Sequence, residues 1–367
     1  MEKAKKQNPP RTLICWINHR FEYLNLRIWF GYCVVLFVVG QCINIVTHGA
    51  FPHFCEHQLL LIIATSLLVL AMHSFFTDIR KLAPDTPGGL LAKNSAVSAV
   101  YQEKLLTIQC SPWILAACVV VTVFFFTCIV LLKYIEIDVI GIYAIYIAGS
   151  SVLIGVYGYM QYLYFLWFIH AAGECDYSHS RMRYAYNTYV PAETKWVVQL
   201  AKTSQRLRNY FLFIGLIYVI EYGMLIPADK VSIGEDSIFL ETPNNTAFIA
   251  SWIALFILVI IAFPVINYTQ RHLVAKLVER LKSLTVSELL ELMEAEYANS
   301  KKQSRSERLQ TTVTYGILIE NIKGSKSYPI NRQLSYETIM TVVTFCVHIF
   351  NLYDKIIGIP QFVGLLS

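Results

Sequence analysis

One carboxylate lies inside a stretch of membrane-spanning length and is the residue most open to a chemical role. Glu221 occurs in Tyr218-Val-Ile-Glu221-Tyr222, within the apolar stretch 209–227. An ionisable side chain at the centre of a membrane span costs on the order of 3 kcal/mol, so a function is the default hypothesis for it. The alternatives are that Glu221 reaches the outer lipid headgroups or is protonated and bonded to a tyrosine. The predicted pocket for a small-molecule ligand comprises Glu221, Tyr218, Tyr222, Tyr143 and Tyr146.

A histidine in the last apolar stretch is the second candidate. His348 shares a helical stripe with Thr341, with Thr344 or Phe345, and with Leu352. A lone histidine in a span either packs against neighbours or, where the helix lines a water-filled path, forms a polar constriction. The sequence leaves both explanations open.

Two clusters contain the residue types that bind metal ions. Loop residues 47–57 include His48, His53, Cys55, Glu56 and His57. Residues 170–179 include His170, Glu174, Asp176 and His179. The spacing in both is loose, so we expect a solvated loop in the first case and an ordinary helix end after Gly173 in the second. No metal site and no cofactor is predicted.

Seven apolar stretches must position these residues. Most have the length needed to cross a hydrocarbon core of about 30 Å. Hydrophobic residues make up 56% of the 367 residues and charged residues only 15%, which predicts one all-α membrane domain over residues 1–367. The predicted spans 1 to 7 are Trp29–Thr47, Leu59–Phe76, Pro112–Leu132, Val139–His170, Asn209–Pro227, Ala247–Tyr268 and Tyr336–Leu352.

Basic residues predict the orientation of these spans. Six Lys and Arg precede span 1, four lie between spans 2 and 3, six between spans 4 and 5, and eleven between spans 6 and 7, leaving 3 of the 30 for the other side. Short loops rich in Lys and Arg stay in the cytoplasm, so the N-terminus is expected inside and the C-terminus outside. Because these residues flank spans, they give no indication of nucleic-acid binding.

Two glycosylation sequons bear on the same orientation. Asn244-Asn-Thr lies in the predicted outer loop between spans 5 and 6, whereas Asn267-Tyr-Thr lies at the inner end of span 6. We therefore expect a glycan on Asn244 and none on Asn267.

The long inner segment 270–335 contains helical signals. Leu273, Leu277 and Leu281 continue span 6 as an amphipathic helix. Capping boxes at Thr285-Val-Ser-Glu288 and Ser304-Arg-Ser-Glu307 predict two further helices, the second ending at Gly324. Such a cytoplasmic anchor either packs against the inner ends of spans 4 and 5 or forms subunit contacts.

The last third of the chain resembles the insect gustatory and odorant receptor superfamily. That family's final span carries Thr-Tyr, five apolar residues and Gln-Phe, and here the stretch is Thr344-Phe-Cys-Val-His-Ile-Phe-Asn351-Leu352. Tyr328-Pro-Ile-Asn331 and Thr338-Ile-Met340 resemble the family's turn into that span. The resemblance covers about forty residues, and the predicted architecture fits the family over the whole chain.

This resemblance implies a function and an assembly. Family members are ligand-gated, non-selective cation channels of the plasma membrane, with roles in chemosensation such as taste, and they assemble as homo- or hetero-tetramers of related subunits. By analogy, helix 336–353 would line the pore. The implied pore residues are Thr341, Thr344, His348, Asn351 and Leu352. His348 departs from the family, whose gate is typically apolar.

Two other classes have seven spans. A G-protein-coupled receptor needs its N-terminus outside, which the charge distribution opposes, and neither Lys133-Tyr-Ile-Glu136 nor Asn351-Leu-Tyr-Asp354 matches its motifs. An intramembrane zinc hydrolase similar to the adiponectin/progestin receptors needs a His-x-x-x-His pair in the last span. The chain's only such pair, His53 and His57, is predicted outside.

Overall fold

The computed structural model describes residues 13–48, 54–84, 89–91, 95–106, 111–131, 139–175, 190–224, 243–299 and 305–329. All regular structure within these residues is helical. The helices are α1 (Leu13–Glu22), α2 (Leu26–His48), α3 (Phe54–Leu82), α4 (Ser95–Val100, continued by a π-helical turn, Tyr101–Leu106), α5 (Pro112–Leu131), α6 (Val139–Gly173), α7 (Lys195–Met224), α8 (Pro243–Asn299) and α9 (Arg305–Gly324), with a 3₁₀ turn at Pro191–Glu193.

Three of these helices are long and apolar enough to cross a membrane. Their apolar parts are Leu26–Ile43 in α2, Leu59–Leu82 in α3 and Ile145–Gly173 in α6. They coincide with predicted spans 1, 2 and 4, which indicates a multi-pass membrane protein. The all-helical fold class is confirmed in the described residues.

The other four predicted spans, 3, 5, 6 and 7, do not coincide with these three helices. Helix α5 contains a shorter apolar segment, Pro112–Phe124. Residues 209–224 of predicted span 5 are helical within α7, and predicted span 6 is helical within α8. Span 7 lies outside the described residues, so seven crossings and the orientation remain predictions.

The main core lies at one end of the bundle, which we call the base. It is formed by the C-terminal ends of α3 and α6, the N-terminal half of α7 and the middle of α8. Apolar residues at helical spacing face inward there, as in Val274, Leu277, Val278 and Leu281 of α8, which are fully buried. They belong to one cluster with Phe75, Phe165, Phe168, Trp196 and Leu200.

Apolar side chains elsewhere are exposed, as expected for a surface that faces lipid. On α5, Val120 and Phe124 are more than half exposed, and on α2 the same is true of Val35 and Val38. Soluble proteins rarely expose apolar patches of this extent. This exposure adds to the indication of a membrane location.

Helix α8 corrects one prediction. The capping box at Thr285–Glu288 would start a new helix, but α8 runs without a break from Pro243 to Asn299. The Thr285 hydroxyl donates to the carbonyl of Leu281, one turn earlier in the same helix, at 2.9 Å. Because Thr285 is buried in a helix interior, its side chain satisfies itself locally instead of capping a terminus.

Other expectations for this segment are confirmed. Helix α8 continues beyond span 6 as an amphipathic helix, and α9 starts at Arg305 and ends at Gly324. Leu277 of α8 lies against Gly173 of α6. A Cβ added to Gly173 would be 3.8 Å from the Leu277 Cα, so the two helices are in close contact at this point. The first part of the predicted anchor therefore packs against the C-terminal end of α6 and the N-terminal half of α7.

Two further helices, α1 and α4, lie outside the predicted spans and the predicted anchor. Helix α1 precedes span 1 and packs on α3, where His73 Nδ1 lies 2.9 Å from the carbonyl oxygen of Phe21. Helix α4 and its π-helical turn bury Val97, Tyr101 and Leu105 in the base core.

Candidate functional site

The predicted ligand residues lie on two helices, and two of their side chains are described. The Tyr218 hydroxyl of α7 is hydrogen-bonded to the Ser151 hydroxyl of α6. The Tyr146 hydroxyl of α6 lies 2.8 Å from that of Tyr32 on α2. The Tyr218 hydrogen bond therefore joins α7 to α6, whereas the Tyr146 hydrogen bond joins α6 to α2.

The remaining ligand candidates are described only by their backbone. Glu221 and Tyr222 lie in the last turn of α7, and Tyr143 lies near the start of α6. Their side chains are outside the described set, so their part in a pocket stays a prediction.

The predicted pore residues fall outside the described residues. These are Thr341, Thr344, His348, Asn351 and Leu352. Of the two sequons, Asn244 occupies the second position of α8, and its side chain is not described. Asn267 is half-buried, and its amide oxygen accepts a hydrogen bond from Arg208 Nη1.

The two histidine-containing clusters are partly described. Cys55, Glu56 and His57 lie in the first turn of α3, not in a loop, because α3 begins at Phe54. Near the second cluster, α6 ends at Gly173 as expected, and the Glu174 amide donates to the His170 carbonyl at 3.1 Å. Among the described residues, no three His, Cys, Asp or Glu side chains come close enough to hold a metal ion. The side chains of His48, His53, Cys55, Glu56, His57, Asp176 and His179 are outside that set.

Helix α6 is tied to α8 by an exposed ion pair at the same end. Lys276 Nζ lies 2.6 Å from a carboxylate oxygen of Glu174. The hydrogen bond from Lys276 lowers the pKa of Glu174 below its ordinary value, with the ammonium charge adding to the effect. Glu174 is thereby engaged in a helix-to-helix contact.

A buried carboxylate joins α3 to α7. Asp78 is 1% exposed, and its two oxygens accept from Arg206 Nη1 at 2.8 Å and from Lys81 Nζ at 2.9 Å. The Thr203 hydroxyl adds a longer contact at 3.4 Å. Such a charge is tolerated in a core because it is paired and hydrogen-bonded.

A buried lysine joins α8 to the end of α9. Lys282 is 3% exposed, and its ammonium donates to the carbonyl of Ser325 at 2.6 Å and to the Glu279 carboxylate at 3.0 Å. Ser327 Oγ also donates to Glu279, at 2.5 Å. A cation at a helix C-terminus satisfies carbonyls that lack partners within the helix.

Partial burial and hydrogen bonding shift the pKa of Glu279 in opposite directions. Burial alone raises the pKa of Glu279, but the hydrogen bonds from Ser327 and Lys282, together with the Lys282 charge, outweigh it and lower the pKa. Glu279 is therefore ionised at neutral pH and holds the segment that follows α9.

Sequence reasoning missed these ties at the base. A signal for Asp78 does exist: the apolar spacing Phe75, Ile79, Leu82 continues past the predicted end of span 2 and brackets the acidic residue. For Lys282, the signal is its position between Leu281 and Leu284 on the apolar face of the amphipathic pattern. Neither signal identifies the partners on other elements, Arg206 for Asp78 and Ser325 for Lys282, because these come from distant parts of the chain.

Comparison of the chain with protein-family models, with curated proteins and with solved structures gives no match.

Proposed function

We propose that the chain is a subunit of a ligand-gated, non-selective cation channel with a chemosensory role, resembling insect gustatory receptors. It crosses the plasma membrane seven times with its N-terminus inside and assembles as a homo- or hetero-tetramer with related subunits. The proposal draws on the resemblance in the last span, on the charge distribution and on the form of α8.

The form of α8 is the observation that carries the proposal. Its 57 residues correspond to a rod of roughly 85 Å, far longer than the membrane core of about 30 Å. The first part is apolar and the second is amphipathic, and the two form one helix. A rod of this kind is suited to connecting a span to an inner helical anchor, which is the arrangement that the family resemblance implies.

The base would then face the cytoplasm. Basic residues concentrate there, including Arg80, Lys81, Arg206 and Lys276, all of which are exposed at the surface. In this orientation α9 presents Leu309, Val313 and Ile317, each more than half exposed, on one helical face. This apolar face supports the second use expected of the anchor, contact between subunits.

Ligand binding and conduction occupy the other parts of the chain in this proposal. Glu221 and its neighbouring tyrosines provide a polar group and aromatic rings in the outer half, suited to a small molecule. Residues 336–353 line the pore, with His348 at its constriction.

The experiment uses the chemistry of His348. An ordinary imidazole gains a positive charge as the pH falls through about 6.5, and four charged rings around one axis repel cations. Whole-cell current, recorded with an activating ligand or in a constitutively open background, should fall on external acidification. His348→Val should leave a conducting channel without this pH dependence. Identical pH profiles for the two forms would remove His348 from the ion path.

A further inference from the structure

A group of polar side chains, four of them buried and two half-buried, lies at the base where α6, α7 and α8 meet. We call it the base polar cluster, and it consists of Tyr162, Ser204, Arg208, Asn267, Gln270 and Tyr328. Ser204 and Arg208 are four residues apart on α7, and Asn267 and Gln270 are three apart on α8, so each pair shares one helix face. The cluster therefore has contributions from three helices and from the segment after α9.

Several contacts hold the cluster together. Arg208 Nη1 donates to Asn267 Oδ1 and joins α7 to α8. Gln270 Nε2 donates to the Tyr328 hydroxyl at 3.4 Å. The Ser204 hydroxyl approaches the Tyr162 hydroxyl but does not reach hydrogen-bond geometry, and the Arg208 guanidinium is also near it.

Three polar atoms of the cluster nevertheless have no hydrogen-bond partner in the described part of the chain. They are the Tyr162 hydroxyl, Ser204 Oγ and Gln270 Oε1. Tyr162 is 1% exposed, and Ser204 and Gln270 are 0% exposed, so bulk solvent does not reach them. Nearly all buried polar groups in folded proteins are hydrogen-bonded to protein or to ordered water, because leaving one unsatisfied is costly.

We propose that the base polar cluster is a binding site for water, with at least one molecule bridging Tyr162, Ser204 and Gln270. A buried water typically makes about three hydrogen bonds to such groups. It can donate to the Gln270 carbonyl oxygen and exchange hydrogen bonds with the two hydroxyls. A cation does not fit, because the guanidinium of Arg208 is adjacent.

The bound water has a mechanical consequence. It joins α6, α7 and α8 at one point, and the bond from Gln270 to Tyr328 extends the connection to the segment that precedes residues 336–353. A hydrogen bond through water is nearly as favourable as a direct one, so the water connects the helices without direct contact between their polar groups. This inference concerns the base alone and does not depend on the proposed channel function.

Hydroxyl-radical footprinting of the purified full-length chain tests the occupant directly. Radicals generated from a bound water modify the side chains that surround it. Tyr101 is a matched control, because it is 2% exposed and its hydroxyl donates directly to the Ile79 carbonyl at 3.3 Å. Tyr162 should be modified several-fold faster than Tyr101. Equal, low rates for the two tyrosines would contradict the proposal.

The sign of a stability change provides a second test. If water bridges the cluster, Tyr162→Phe removes a hydrogen bond and should lower the melting temperature by about 2 °C. If the hydroxyl is unsatisfied, the same substitution removes a buried polar group at no loss and raises the melting temperature, or leaves it unchanged, and either result overturns the proposal. Native mass spectrometry distinguishes a bound water from a small molecule that stays bound during purification. An extra mass that is present in the wild type and absent from Tyr162→Phe would also overturn it.

Discussion

Lys282 illustrates at the scale of a single residue how the base is held together. Its ammonium is buried and bonds the carbonyl of Ser325, whereas Lys276, six residues earlier on α8, is half-exposed in its pair with Glu174. The two lysines have the same charge and similar partners. Their burial differs, and burial decides how much each contributes to stability.

Substituting each lysine by methionine should separate these contributions. Lys282→Met leaves the carbonyls at the end of α9 without their donor and should lower the free energy of unfolding by about 1–3 kcal/mol. Lys276→Met should leave it nearly unchanged, because solvent screens the exposed pair. Thermal unfolding of the purified protein, followed by tryptophan fluorescence, measures both. Equal effects would show that the buried hydrogen bonds of Lys282 do not stabilise the protein more than the exposed ion pair of Lys276.

The carboxylate partner of Lys282 predicts a pH dependence. The pKa of Glu279 is lowered in the folded state from its ordinary value of 4.5. A lowered folded pKa contributes stability that is fully present above the unfolded pKa and is lost as the pH falls through the folded value. The contribution should thus be constant from neutral pH down to about 5 and decrease below that.

Melting temperatures of the wild type and Glu279→Gln between pH 7 and pH 3 check this dependence. The difference between the two proteins should shrink as the pH falls. Glu291→Gln, which changes an exposed glutamate of the same helix, should retain the wild-type response. A Glu279→Gln difference that does not vary with pH would contradict the assignment.

Helix α8 shows at the scale of an element what the sequence could and could not predict. Its apolar start, its continuation through Leu273 and Leu281, and the end of α9 at Gly324 follow from periodicity and from end signals, which are local properties. The capping box at Thr285 was wrong because the same four residues also fit a helix interior. Burial of Thr285 against the base decides between the two, and burial depends on the whole fold.

In the candidate site, too, the residues follow from local sequence signals, but their contacts depend on the whole fold. Tyr218 and Tyr146 were identified from their positions in apolar stretches, but their partners Ser151 and Tyr32 are distant in sequence. The polar ties at Asp78 and Lys282 are likewise formed between elements. Residue type and spacing indicate which helix face is buried, but they do not identify the side chain opposite.

Proline substitution distinguishes the two interpretations of α8. Position 286 would be the first residue of a helix capped by Thr285, where proline is well tolerated. In a continuous helix, Val286→Pro removes a backbone hydrogen bond and clashes with the carbonyl of residue 282, at a cost of about 3 kcal/mol. We expect this loss for Val286→Pro and a small effect for Val286→Ala, both measured by thermal unfolding. A stable Val286→Pro protein would restore the capped-helix interpretation.

Orientation in the membrane is a property of the whole molecule. The basic residues predict that Asn244 faces the lumen during insertion and that Asn267 faces the cytoplasm. Synthesis in microsomes should give one glycan, removed by Asn244→Gln and unaffected by Asn267→Gln, as judged by the mass shift on a gel. A glycan lost only with Asn267→Gln would invert the topology.

The exposed apolar face of α9 and the long rod of α8 bear on assembly. Leu309, Val313 and Ile317 are exposed on α9, which runs alongside the last part of α8, where the Tyr315 hydroxyl donates to Glu296 at 3.1 Å. Apolar residues in this position are unfavourable in water unless another surface covers them. In the proposed tetramer, the inner anchors of the subunits cover one another and the last spans surround a central pore.

Single-particle imaging of the purified full-length chain in lipid nanodiscs tests the proposed channel most directly. The account predicts particles with four-fold symmetry, a central pore lined by residues 336–353 of each subunit, and long helices that project from the membrane on the side of the base. A preparation that contains only monomers, each with the last span packed inside its own bundle, would contradict it.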